Sequence, residues 1–179
     1  MLFLIKKLLF LLILSVTISR AEELVYSAGF RLFEAGEAIF TSDTTIINNK
    51  STLLLTSTIK TNSFLSRFYK VDDIVKVWSD LEDLSLIKIE KEVNEGNYHL
   101  KYSAFVSEDF KLVSDGSVIA LDSKVYDPIS AIFMLRKKSL IEGESYKFTT
   151  LENGIIQKVN VLVGGIEEIS VPAGNFLTH

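Results

Sequence analysis

From Leu24 onward, apolar residues recur at every second position far more often than every 3.6, and this period most constrains the fold. Successive side chains of a strand point to opposite faces, so a strict alternation describes a strand with one face buried. Tyr98, Leu100, Tyr102, Ala104 and Val106 share one such face, with His99, Lys101 and Ser103 on the other. Leu24, Tyr26, Ala28, Phe30 and Leu32 repeat the pattern, as do Tyr146 and Phe148, then Ile155, Val159, Val161 and Val163. Asn94-Glu95-Gly96-Asn97, Ser114-Asp115-Gly116 and Glu152-Asn153-Gly154 separate these runs, and Gly and Asn tolerate the positive φ of tight hairpins. The pattern predicts a mainly β protein: a single strongly curved antiparallel sheet or incomplete barrel, since a long open sheet must coil or close.

One segment breaks the period. Asp127 can cap a helix, Pro128 at the first helical position loses only an orphan amide, and Ile129, Ile132, Phe133 and Arg136 follow at i, i+3, i+4, i+7. This predicts a short amphipathic helix from Asp127 to Lys138 packed on the sheet, its basic end at the negative pole of the helix dipole. A weaker helical pattern runs from Ser63 to Phe68. Gly164-Gly165 reads as a hairpin or bulge.

The N-terminus reads as an export signal. Lys6 and Lys7 precede an apolar run from Leu8 to Ile18, and Ser19-Arg20-Ala21 is a small-x-small cleavage site, so the mature chain is expected to begin at Glu22. The run falls short of the roughly twenty apolar residues that span a bilayer, and no second run follows, so no stable membrane span is expected after cleavage. Residues 22–179 then form one β-rich domain, periplasmic or secreted. Removal of the signal takes away Lys6, Lys7 and Arg20 but no carboxylate, leaving the remainder more acidic than the net −4 of the whole chain. That balance argues against nucleic acid, which needs clustered cations. The absence of cysteine excludes disulfides, thiolate metal sites, a cysteine nucleophile and a lipid-acceptor cysteine.

No motif carries a reaction. Ser57-x-x-Lys60 and Ser85-x-x-Lys88 fit an acyl-transfer pattern, but both lie in β-patterned runs where i and i+3 point to opposite faces. His99 and His179 lack metal-ligand spacing. Asp72-Asp73, Glu82-Asp83, Glu108-Asp109 and Glu167-Glu168 supply carboxylates, yet Ser79 to Asp83 lacks the turn glycine and distal glutamate of a calcium loop. No metal or cofactor is expected. Trp78, Tyr98, Leu100 and Tyr102 are the candidates for an apolar ligand surface.

Asp127-Pro128-Ile129-Ser130-Ala131 with Arg136, then Gly143 and Tyr146, then Val171-Pro172-Ala173-Gly174-Asn175-Phe176 resemble the exported bacterial family catalogued as domain of unknown function 3108. Gly29-Phe30 to Ala35-Gly36-Glu37-Ala38 is similar to that family's first hairpin. The resemblance implies an envelope or secreted β-rich protein with no established activity and no catalytic residues to carry over. It also implies further strands after Phe176, so the domain is expected to lack its C-terminal strands. As architecture, Asp127 caps and Pro128 opens the helix, Arg136 reaches a carboxylate or carbonyls on the sheet, Pro172 ends a strand and Gly174 makes its turn. The expected function is a non-catalytic binding or chaperone-like module of the envelope, its partner an apolar small molecule or an envelope protein. A carboxylate-dependent hydrolase and a structural envelope protein are the alternatives.

Overall fold

The structure, a computed structural model, describes residues 21–30 and 33–179. The export segment, Ala21 apart, lies outside the described residues, as does Leu32.

Strands β1 (Glu22–Phe30), β2 (Phe33–Ile47), β3 (Lys50–Thr61), β4 (Asp72–Asp80), β5 (Leu86–Glu95), β6 (Tyr98–Val106), β7 (Lys111–Ser114) and β8 (Ser117–Ala120) form one antiparallel sheet. Each pairs with the next in chain order, and the two edges do not meet, so the sheet stays open. A second sheet has β10 (Ser145–Glu152) at its centre, antiparallel to β11 (Ile155–Leu162) and parallel to β9 (Val125–Tyr126). Helix α1 (Pro128–Arg136) makes the crossover from β9 to β10 that a parallel pair requires. β12 (Glu167–Val171) and β13 (Gly174–Thr178) form a separate hairpin. The fold is mainly β with one short helix.

The alternation produces the core directly. Leu55, Val77, Ile89 and Ala104 stand in one cross-strand row of β3 to β6, all withdrawn from solvent. Val125 of β9 and Leu151 of β10 complete the same cluster, so the smaller sheet covers the inner face of the larger. Trp78 pairs with Lys88 and Ser79 with Leu86, which leaves Ile87 as a bulge residue. That extra residue lets Leu86 and Ile89, of opposite parity, both turn inward.

The turns at Gly96, at Asp115-Gly116 and at Asn153-Gly154 lie where the sequence places them. The β2–β3 hairpin turns at Asn48-Asn49, with φ of 49° and 59°, a pair without glycine that the composition of turns did not single out. Three expectations need correction. Gly164-Gly165 lies in the connection between β11 and β12 rather than in a hairpin or bulge. Ser63 to Phe68 holds only a single 3-10 turn, Leu65–Arg67, because Asn62 and Ser66 satisfy its backbone locally. The helix ends at Arg136, short of Lys138.

Candidate functional site

The helix start follows from its cap. Asp127 Oδ1 accepts a hydrogen bond from the Ile129 amide at 2.9 Å, and Pro128 holds the first helical position. The helix contacts β3, β4, β9 and β10, but the side it buries is Ser130, Ala131 and Met134. The stripe Ile129, Ile132, Phe133 and Arg136 turns sideways. Ile129 and Phe133 pack partly against the core, while Ile132 remains 60% exposed. The expected face is therefore real, yet it forms a wall instead of lying flat on the sheet.

That wall bounds a groove of about 690 Å³. Leu24 and Tyr26 of β1 and Phe40 of β2 form the opposite side, with the Tyr26 and Phe40 rings edge-to-face at 5.8 Å between centroids. Phe176, Leu177 and Thr178 of β13 close one flank. Pro172 ends β12 and Gly174, at φ 137°, starts β13, so this hairpin is what brings Phe176 and Leu177 to the groove.

Arg136 supplies the one charged side chain among the described lining residues. Its two terminal nitrogens donate to both carboxylate oxygens of Glu22 on β1, at 3.0 and 2.7 Å, a bidentate pair across the groove's end. The hydrogen bond from Arg136 holds the Glu22 carboxyl below its usual range, and the same bond raises Arg136. The guanidinium also lies 5.0 Å from the Phe133 ring centroid. The groove thus presents apolar walls and a neutralised cation, an environment for an apolar body.

The ligand candidates from the sequence are scattered. Trp78 lies on the outer face of β4 with Lys88 Nζ 4.9 Å from its ring centroid. Tyr98 is exposed at the β5–β6 turn, and Leu100 is half-buried outside the main core. Tyr102 packs against the core, with burial pushing its hydroxyl pKa up, and its hydroxyl lies beside the Asn153-Gly154 turn. None of the four lines the groove. Leu24, Tyr26, Phe40 and Phe176 do, and the period-two signal of β1 already marked the first two as inward.

The carboxylate pairs are also dispersed. Asp72 binds Lys60 and Lys70, whereas its neighbour Asp73 is buried and accepts from the Asn94 amide at 2.8 Å. Asp80 and Asp83 cap the β4–β5 turn and pair with Lys50 and Lys124. Asp109 pairs with Lys111 in the β6–β7 turn. In the S-x-x-K runs, Ser57 is buried while Lys60 faces Asp72. Among the described residues no group of three or more His, Asp or Glu side chains is placed to hold a metal. A second hollow of about 430 Å³, beside Lys124, Lys147 and Lys158, lies over β10 and β11.

Sheet, helix and groove define a mainly β protein with a half-covered apolar cleft beside its single helix. Residues 25–179 match the family described as "Protein of unknown function (DUF3108)", and the chain belongs to that family. No curated protein and no solved structure matches it.

Proposed function

We propose that the protein is an exported, non-catalytic binding module that holds an apolar ligand in the groove between β1, β2, α1 and β13. The observation that carries this reading is the groove itself: about 690 Å³, within the range of small-molecule sites, with aliphatic and aromatic walls left open to solvent. Ile132 and Leu177 are 60% and 76% exposed there, an apolar surface that a ligand would withdraw from water. Pairing of Arg136 with Glu22 leaves no uncompensated charge in the wall, which favours an uncharged apolar body.

Export is part of the proposal and rests on the Lys6-Lys7, Leu8 to Ile18 and Ser19-x-Ala21 pattern. A periplasmic or secreted location gives such a module access to envelope lipids. Among the described residues no helix is long and apolar enough to cross a membrane.

Untargeted mass spectrometry of an organic extract of the purified protein tests the reading, together with titration of an apolar fluorescent probe. A co-purifying apolar molecule, displaced by the probe and lost in Ile132→Asp, is the expected result. An empty extract with no saturable probe binding defeats it.

A further inference from the structure

A second surface points to a different partner, independently of the groove. The β3–β4 connection carries three exposed aromatic rings within six residues: Phe64, Phe68 and Tyr69, at 61%, 77% and 54% exposure. Rings so exposed have a cost in water that a free surface loop does not need. Interleaved with them are Arg67 and Lys70, and from Asn62 to Val71 there is no carboxylate. Arg67 makes no ion pair among the described residues, and Lys70 is paired with Asp72 at 3.5 Å while its side chain stays largely exposed.

The loop is held as a fixed projection. Asn62 Oδ1 accepts from the Phe64 and Leu65 amides at 3.1 and 2.9 Å, and Ser66 Oγ donates to the Asn62 carbonyl at 2.7 Å. Phe64 and Phe68 stack edge-to-face at 5.7 Å. The Tyr69 ring lies against Gly96, where a β-carbon would come within 2.7 Å of it, and the Gly96 amide donates to the Lys70 carbonyl. Tyr98, 54% exposed, stands two residues past Gly96 at the same end of the sheet.

We propose that this tip docks the protein on the surface of an anionic lipid bilayer. Aromatic rings partition into the headgroup boundary, and cations beside them meet the negative surface potential. The chain as a whole is acidic, but its field is screened beyond about 8 Å at physiological salt, so the charges near the tip decide the contact: Arg67, and Lys70 and Lys60 sharing the single carboxylate of Asp72. Glu34, Asp72 and Glu95 belong to β2, β4 and β5, outside the stretch from Asn62 to Val71. A stable protein interface needs about 800 Å² per partner. A projecting three-ring tip offers depth rather than breadth, which suits a bilayer.

The test uses the full chain in the form its host cell produces, with vesicles of phosphatidylcholine alone or with about one-third phosphatidylglycerol. Phe68→Trp is the sensor, read against the unsubstituted protein, whose single tryptophan is Trp78. A blue shift at position 68 with anionic vesicles, quenched by lipids brominated near the headgroup, is expected. Phe64→Ser with Phe68→Ser should lower partitioning at least about tenfold, since burying one aromatic ring is worth more than that factor. Arg67→Gln should lower it about fivefold on anionic vesicles only. Both side chains of the double variant are exposed, so its thermal unfolding should match the parent and a fold defect is separable. No shift at position 68 overturns the proposal, as does a double variant that binds vesicles like the parent. If vesicles leave the loop untouched while the same variants abolish cross-linking to a protein, the surface belongs to a protein partner and the lipid assignment fails.

Discussion

Lys91 Nζ lies 3.3 Å from Asp127 Oδ2 where the helix N-terminus meets the inner face of the large sheet, and both side chains are almost wholly withdrawn from solvent. The other Asp127 oxygen caps the helix, so one carboxylate joins the helix start to β5. Burial pushes the Asp127 pKa up, against the pull of the Lys91 charge. The pair is therefore better understood as a positioning device than as a large source of stability.

Lys91→Met should cost about 3 to 5 kcal/mol at neutral pH, because it leaves a buried carboxylate without its counter-charge. Adding Asp127→Asn should recover most of that loss, since a neutral pair of similar volume removes the desolvation cost on both sides. Asp127→Ala should be less stable than Asp127→Asn by about 1 kcal/mol, the value of the cap oxygen alone. Urea midpoints of the four variants check this. A double variant no better than Lys91→Met would show that the two groups are not coupled.

The pH dependence has two opposing signs. The raised Asp127 value means the folded state keeps a proton that the unfolded carboxyl, near 3.8, has lost; its charging cost applies above the folded pKa and is relieved as pH falls toward 3.8. Glu22, depressed by its hydrogen bond to Arg136, supports folding above its unfolded value of 4.5 and loses that support as pH falls through the lower folded value. That pair is partly exposed, so its contribution is at most about 1 kcal/mol after solvent screening. Glu22→Gln should thus differ from the parent at neutral pH and converge with it in acid, whereas Asp127→Asn should lack the parent's relative gain on acidification. Thermal melts from neutral to acidic pH distinguish the two.

How much of this was legible follows from range. The period of two marked Ala104 and Val106 as inward because a strand's facing is a local property, and Asp127-Pro128 marked the helix start for the same reason. Lys91 carried no such signal: a charge on an inward position is explained only by Asp127, a residue distant in the chain that the crossover brings over β5. The Ile87 bulge and the Asn48-Asn49 turn escaped because neither involves a glycine. The groove joins β1, β2, α1 and β13, so its walls were legible one by one, Leu24 and Tyr26 from the period of two and the Ile129 to Arg136 stripe from the helical period, while their meeting across distant parts of the chain was not.

Gly36 allows the first hairpin to close on β3. A β-carbon there would stand 2.1 Å from the Lys60 carbonyl oxygen and 2.9 Å from the Thr61 α-carbon, both backbone atoms that cannot swing aside. Close backbone approach therefore requires glycine at this point, next to the irregularity where Ala28 pairs with Gly36 and Gly29 with Glu34. Gly36→Ala should cost about 1 to 3 kcal/mol by overpacking. Increased amide exchange confined to β1 and the start of β2 should accompany it, and unchanged exchange there would place the approach elsewhere.

Three truncations separate groove from core. Leu55 is fully buried in the central cross-strand row, so Leu55→Ala should cost about 2 to 5 kcal/mol and leave apolar probe affinity unchanged where the variant remains folded. Ile132 faces the groove and is largely exposed, so Ile132→Ser should shift stability by about 0.5 kcal/mol or less while weakening the probe. Leu100 is half-buried opposite Val93, away from the groove, and its truncation should fall between the two in stability without altering the probe. Denaturant midpoints and probe titrations on the same preparations give both coordinates for each variant. Were Leu100→Ala to weaken the probe and Ile132→Ser to leave it intact, the ligand would sit on the β6 end of the sheet and the groove beside the helix would lose its role.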